Sequence, residues 1–207
     1  MAIKREQTDI LLDVEEFINL EDTLLKEHII LLQEHFLFTA LNSIKGAAIL
    51  GLQGLPELLD AFTECLRYQF ACIRCKDKIS FVKECNYLKH YITIEKLRYR
   101  ELSVEWDVEE ADFFIPPMCI ALLLSGSINQ CMSAASKRVH LFGALQDKEY
   151  IFRLWNTVAT EEKVQKNTIE QTRKMVARWW KVQSGANLSW SSQEDRIILT
   201  AHIPLVH

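Results

Sequence analysis

The chain has 207 residues, of which 49% are hydrophobic and 25% charged, and its formal net charge at pH 7 is −4. This length suits one large domain or two small ones, and the composition predicts a packed core and excludes a largely disordered chain. The weak negative charge gives no reason to expect nucleic acid as a partner. No apolar run approaches the roughly 20 residues of a membrane span, and the sequence start lacks a signal peptide. We therefore expect a soluble, cytoplasmic protein.

The first half of the sequence has the apolar spacing of helices. Residues 10–50 repeat apolar side chains every 3.6 residues, which predicts a long helix ending near Gly51 and Gly54. A second helix is predicted from Pro56 to Ala71 and a third over residues 80–100. The first two helices, joined by a short turn, make a helical hairpin. Because one hairpin buries little surface, we expect two chains to pair into a dimeric four-helix bundle.

The second half alternates strand and helix patterns. We predict helices over 118–131 and 162–183, and strands over 102–108, 139–143, 150–155, 188–191 and 196–203. This pattern indicates an α+β fold in which helices pack on one face of a mainly antiparallel sheet. We divide the chain into a helical hairpin, residues 1–75, and an α+β domain, residues 76–207.

Six cysteines raise the question of a metal or redox site. Cys72 and Cys75 form a C-x-x-C motif, but no second C-x-x-C or H-x-x-x-H follows. Most of the cysteines stand among apolar neighbours, as small buried hydrophobic residues do. We interpret them as free thiols in a reducing compartment and expect no metal.

Five short motifs follow one another in a recognisable order. They are the box His35-Phe-Leu-Phe-Thr-Ala-Leu-Asn-Ser-Ile44, Leu66-Arg67-Tyr68, the helix from Glu84 through Tyr91 to Arg98-Tyr99, Ile115-Pro116-Pro117, and Ile203-Pro204. This series resembles the LytS/YesM-type sensor histidine kinases over residues 25–205. The resemblance implies that residues 1–75 are a dimerisation and histidine-phosphotransfer-like hairpin. It also implies that residues 76–207 are an α/β-sandwich of the histidine-kinase ATPase (GHKL) type.

The chain departs from that family where the family binds ATP. Ser125 and Gly126 stand where the family's E-N-A-x-K-H-G box has its catalytic Glu and its Mg²⁺-binding Asn. Asn156 replaces the adenine-binding Asp, and the phosphate-wrapping glycine loop falls around Thr172, in a stretch without glycine. Phosphate loops need glycine for close backbone approach, and Mg²⁺ needs hard oxygen ligands. We therefore expect a degenerate ATPase-like domain with no cofactor and no bound metal.

The resemblance makes His35 the candidate phospho-acceptor, because a neutral imidazole is a good nucleophile near pH 7. The alternative is that this histidine only packs on its helix. Glu34 replaces the family's proline, so the helix can run through His35. Its carboxylate could raise the pKa of His35, or it could be an ordinary surface charge. Thr39 stands where a related kinase's Thr or Asn positions the water that dephosphorylates a receiver, although a helical Thr often bonds back to a carbonyl.

Two further features border the expected nucleotide positions. Trp155, Trp179 and Trp180 could fill the vacant pocket or be ordinary core aromatics. The helix over 162–183 is basic, which is typical of a solvated face but also complements an acidic receiver domain. Its basic residues are Lys163, Lys166, Arg173, Lys174, Arg178 and Lys181.

Three functional hypotheses remain open at this point. The first is a phosphotransfer or docking protein for a response-regulator receiver domain. The second is an active kinase that phosphorylates His35 from Mg·ATP with a divergent pocket. The third is a pseudokinase that carries no phosphate. We expect a homodimer with a receiver-domain partner, or, for the pseudokinase, either a kinase or a receiver that it regulates. A membrane sensor is a further candidate partner.

Overall fold

The computed structural model describes residues 34–74, 78–159, 166–193 and 195–205. In these ranges the helices are α1 (34–49), α2 (Leu55–Arg74), α3 (Phe81–Arg98), α4 (Cys119–Cys131) and α5 (Lys166–Ser184). The strands are β1 (Ile79–Ser80), β2 (Ser103–Val108), β3 (Phe114–Ile115), β4 (Arg138–Gln146), β5 (Glu149–Thr157), β6 (Asn187–Gln193) and β7 (Arg196–Pro204). Residues 10–33 of the predicted first helix lie outside the described ranges.

A five-stranded sheet in the order β2-β4-β5-β7-β6 forms the base of the second half. Strands β2 and β4 are parallel, and the other three neighbouring pairs are antiparallel. The prediction of a mixed helix-and-sheet fold is confirmed. The small antiparallel pair of β1 with β3 was not predicted, because two-residue strands are too short to show an alternating pattern.

Helices α4 and α5 contact each other and the sheet, α4 at β4 and β5 and α5 at β6. All but two residues of α4 are buried, because the sheet, α3 and α5 surround it. Helix α5 buries Val176 and Trp180 and exposes Lys174, Arg178 and Lys181, and it ends at Gly185, whose φ is 70°.

Helices α1 and α2 are joined by the turn 50–54, in which Gly51 and Gly54 have positive φ angles that glycine adopts without strain. The Phe36 ring of α1 lies 5.4 Å from the ring of Tyr91 on α3, and the Tyr68 ring of α2 stacks 4.5 Å from Tyr87. One hydrophobic cluster therefore runs from α1 through α3 and α4 to the sheet.

The predicted domain boundary between residues 75 and 76 lies outside the described ranges, so the division stays a prediction. Among the described residues, every helix is too short or too polar to cross a membrane.

Candidate functional site

His35 lies on the solvent side of α1. Both His35 and Glu34 are exposed, whereas the next residue, Phe36, is 2% exposed and packs against Phe62 and Tyr91. The buried phenylalanine fixes the rotation of the helix and so holds the neighbouring imidazole outwards. An exposed imidazole on an anchored helix can be reached by a second protein.

Thr39 lies one turn after His35 and is half-buried. Its hydroxyl donates to the His35 carbonyl oxygen at 2.7 Å and lies 3.1 Å from the Phe36 carbonyl oxygen. This is the back-bonding that the sequence left open as the structural alternative. The hydroxyl oxygen still has lone pairs that can accept a hydrogen bond from water.

Most of the exposed large hydrophobic side chains of the described residues belong to α1, α2 or the turn between them. Soluble surfaces rarely concentrate apolar residues in this way unless another surface covers them. They are Phe38, Leu41, Ile49, Leu50, Leu52, Leu59, Phe70 and Ile73.

The positions that match the family's E-N-A-x-K-H-G box lie on α4. Ser125 is buried close to the phenol of Tyr91, whose pKa is raised well above its usual range by burial. Gly126 is half-buried, and a Cβ built there would meet no atom within 4 Å. Neither position supplies a carboxylate or an amide, so α4 lacks there the two side chains that the family uses to activate the imidazole and to hold Mg²⁺.

Asn156 lies at the end of β5 and is fully buried. Its Nδ2 donates to the Thr157 carbonyl at 3.0 Å, and its Oδ1 has no partner among the described residues. A neutral amide thus stands where the family has a carboxylate that binds the adenine amino group.

Residues 170–175, where the family has its glycine loop, lie inside the continuous helix α5, and Thr172 is one of them. At most eight residues, 158–165, separate β5 from this helix. Arg173 is 7% exposed, and its Nη2 donates to Oε1 of Gln130 on α4 at 2.7 Å. The prediction that Arg173 belongs to a solvated basic face is therefore wrong.

The three tryptophans have different surroundings. Trp180 is fully buried in α5, and Trp179 is half-buried on the same helix. The indole N–H of Trp155 donates to Nδ1 of His140 at 2.8 Å, and Arg196 lies 4.8 Å from the Trp155 ring. Side chains alternate along β5, so Trp155 lies on the sheet face opposite the buried Asn156. The hypothesis that Trp155 fills the nucleotide region is wrong.

One buried site was not predicted, although Glu84 and Tyr68 stand within the quoted motifs. Glu84 of α3 is fully buried and accepts hydrogen bonds from the Tyr68 hydroxyl and from the N–H groups of Met118, Ile120 and Ala121. Burial raises the pKa of Glu84 to about 7, although these hydrogen bonds act in the opposite direction. Tyr68 ends the L-R-Y motif and Glu84 begins the third motif, so two of the five motifs meet at one carboxylate, and Met118 directly follows I-P-P.

Comparisons with known proteins agree with the motif series. Residues 23–102 match the family model for histidine kinases. The chain is 31% identical over 99 residues to YwpD of Bacillus subtilis (strain 168), covering 47% of this chain and 36% of YwpD. It is 33% identical over 96 residues to the sensor histidine kinase YpdA of Escherichia coli (strain K12), covering 45% of this chain and 17% of YpdA.

Among solved structures, the chain is similar to the histidine kinase domain of a blue-light activated histidine kinase from Erythrobacter litoralis EL346. The TM-score is 0.49 and the identity 15%, over 75% of this chain and 81% of that one. A TM-score below 0.5 carries no argument about the fold or activity. The family-model match, over residues 23–102, includes His35 and the helix that carries Glu84. The sequence matches support a histidine-kinase-type protein.

Proposed function

We propose that this chain is a two-component signalling protein that cannot use ATP and that exchanges a phosphoryl group, through His35, with the receiver domain of a response regulator. It acts in the cytoplasm as a homodimer. The observation that carries the proposal is the combination of an exposed imidazole on α1 with a continuous helix at the position of the phosphate loop.

The backbone hydrogen bonds of helix α5 are incompatible with a phosphate loop at residues 170–175. A phosphate loop binds its anion through backbone N–H groups that point at the ligand. In an α-helix every N–H beyond the first four donates to a carbonyl of the preceding turn. Residues 170–175 lie beyond the first four residues of α5, so their N–H groups are already occupied. No glycine lies between Gly143 and Gly185 that would let the backbone approach an anion closely.

The exposed apolar side chains of α1 and α2 support a homodimer. Two copies that pair these faces would bury them in a four-helix bundle, which is the arrangement the motif series implies. The exposed basic residues of α5, Lys174, Arg178 and Lys181, form a surface that would complement an acidic receiver domain.

Titration of the chain with Mg·ATP should show no saturable binding up to the millimolar range, because both the metal ligands and the phosphate-binding amides are missing. Isothermal titration calorimetry measures this directly, with an intact histidine kinase as the positive reference. Arg173→Ala is the matched variant. This variant removes a buried guanidinium but restores no ligand, so it should not bind Mg·ATP either. Saturable, Mg²⁺-dependent binding in the micromolar range would revive the active-kinase alternative.

Replacing Thr39 with alanine should slow dephosphorylation of the phosphorylated receiver by roughly tenfold, since the attacking water loses its positioning hydroxyl. Transfer between the receiver and His35 should be unchanged. Release of inorganic phosphate from a labelled receiver measures the rate.

Thr63→Ala is the matched control for this experiment. The Thr63 hydroxyl donates to the Leu59 carbonyl at 2.8 Å, the same type of bond that Thr39 makes to His35. Both variants lose one helical back-bond, but only one is beside the imidazole. Equal dephosphorylation by wild type and Thr39→Ala would remove the proposed role.

A further inference from the structure

Three helices meet at the buried carboxylate of Glu84. Its Oε2 accepts from the Tyr68 hydroxyl of α2 and from the Met118 N–H at 3.0 Å. Its Oε1 accepts from the N–H groups of Ile120 at 3.2 Å and Ala121 at 3.1 Å, at the start of α4. We call Glu84, Tyr68 and these three amides the Glu84 cluster. It joins parts of the chain that are 16 and 34 or more residues apart.

The start of α4 depends on this carboxylate. The first N–H groups of a helix have no partner within the helix, and a negative charge at that end is favourable. Met118, the residue before α4, has a φ of 63°, which is strained for a residue with a side chain. Its N–H is held by the same oxygen that accepts from Tyr68. A displacement of Tyr68 therefore changes how this oxygen holds the strained residue.

We propose that the Glu84 cluster couples the position of α2 to the conformation of the start of α4. A partner that displaces α2 would loosen the start of α4, and a change at α4 would in turn alter the packing of α2, because coupling between two sites is reciprocal. The inference goes beyond phosphotransfer, since it does not require His35 to carry phosphate.

The charge environment makes the cluster sensitive to the loss of one donor. The titratable groups that interact with Glu84 include Tyr68 from α2, Cys85 and Tyr87 from α3, and Cys119 from α4. Burial raises the pKa of Tyr68, Tyr87, Cys85 and Cys119, so these groups are neutral near pH 7. The hydrogen bonds of the cluster favour the ionised form of Glu84 against the effect of burial, and each donor matters more than it would in water.

Amide hydrogen exchange of the full chain tests the coupling. Tyr68→Phe keeps the ring that stacks on Tyr87 and removes only the hydroxyl. We expect exchange at the amides of Met118, Ile120 and Ala121 to rise about tenfold, as the loss of a hydrogen bond to a charged group would cause. Glu84→Gln should raise exchange in α4 and around Tyr68 together. Rates are compared with Leu154 in the central strand, so global destabilisation is separated from local change.

Tyr87→Phe is the matched control. The Tyr87 hydroxyl accepts from Nε2 of Gln69 at 3.2 Å, so this variant also removes one phenol bond between α2 and α3. It should leave the α4 amides at wild-type rates relative to Leu154. If Tyr68→Phe leaves them unchanged, or if both variants raise them equally, the coupling does not exist. Neither result depends on ATP or phosphate, so the outcome is separate from that of the phosphotransfer proposal.

Discussion

Replacement of His35 with glutamine should abolish transfer of a phosphoryl group from a phosphorylated receiver domain to the chain. In the transfer, an imidazole nitrogen attacks phosphorus, the N–P bond forms, the acyl-phosphate P–O bond of the receiver aspartate breaks, and the imidazole loses its proton to water. Glutamine has no nucleophilic nitrogen, so the label should fall to background. The side chain is exposed and glutamine suits a helix, so folding should not change.

The measurement uses a receiver domain labelled by a small phosphodonor, and the product should be labile in acid, as a phosphoramidate is. His90→Gln is the matched control, since it removes a half-buried histidine from α3 and leaves α1 intact. It should carry label as wild type does. If the His35 variant is labelled equally, another residue is the acceptor. If wild type takes no label from any receiver that binds it, the pseudokinase hypothesis replaces the present one.

The sequence predicted the elements of the second half well where a pattern was long and unambiguous. The apolar run of α4 and the helical spacing of α5 both correspond to helices in the structure. On β5 the pattern was ambiguous, because Tyr150, Phe152 and Leu154 on one face and Ile151 and Trp155 on the other are all apolar. The sequence therefore indicated a strand but not which face Trp155 would occupy.

The candidate site was predicted only in its local features. The motif box placed His35 and Thr39 on one helix, and helical periodicity placed them one turn apart. Sequence patterns treat Arg173 as a surface charge, because a buried arginine is rare without a partner. Its partner Gln130 lies 43 residues away, and no local pattern connects the two. Glu84 was likewise recognisable as a motif residue, but its partners belong to other helices.

Replacing Trp180 with alanine should lower the free energy of unfolding by about 3–5 kcal/mol, the usual cost of truncating a buried tryptophan. Trp180 is fully buried in α5 and belongs to the cluster that joins this helix to α4 and the sheet. If α5 is a packed structural helix at the position of the phosphate loop, Trp180→Ala should show this whole loss in the free energy of unfolding. If the segment were a mobile nucleotide lid, the same truncation would lower the free energy of unfolding much less.

Urea denaturation measures this effect, provided that the m value stays unchanged. Trp179→Ala is the matched control, because its half-buried ring should cost clearly less on truncation. Trp180→Phe keeps most of the buried ring and should also be milder than the alanine variant. A loss of about 1 kcal/mol or less for Trp180→Ala would mean that α5 is not fixed by its core contacts. The region around residues 170–175 could then open for a ligand, and the argument against ATP binding would lose its structural support.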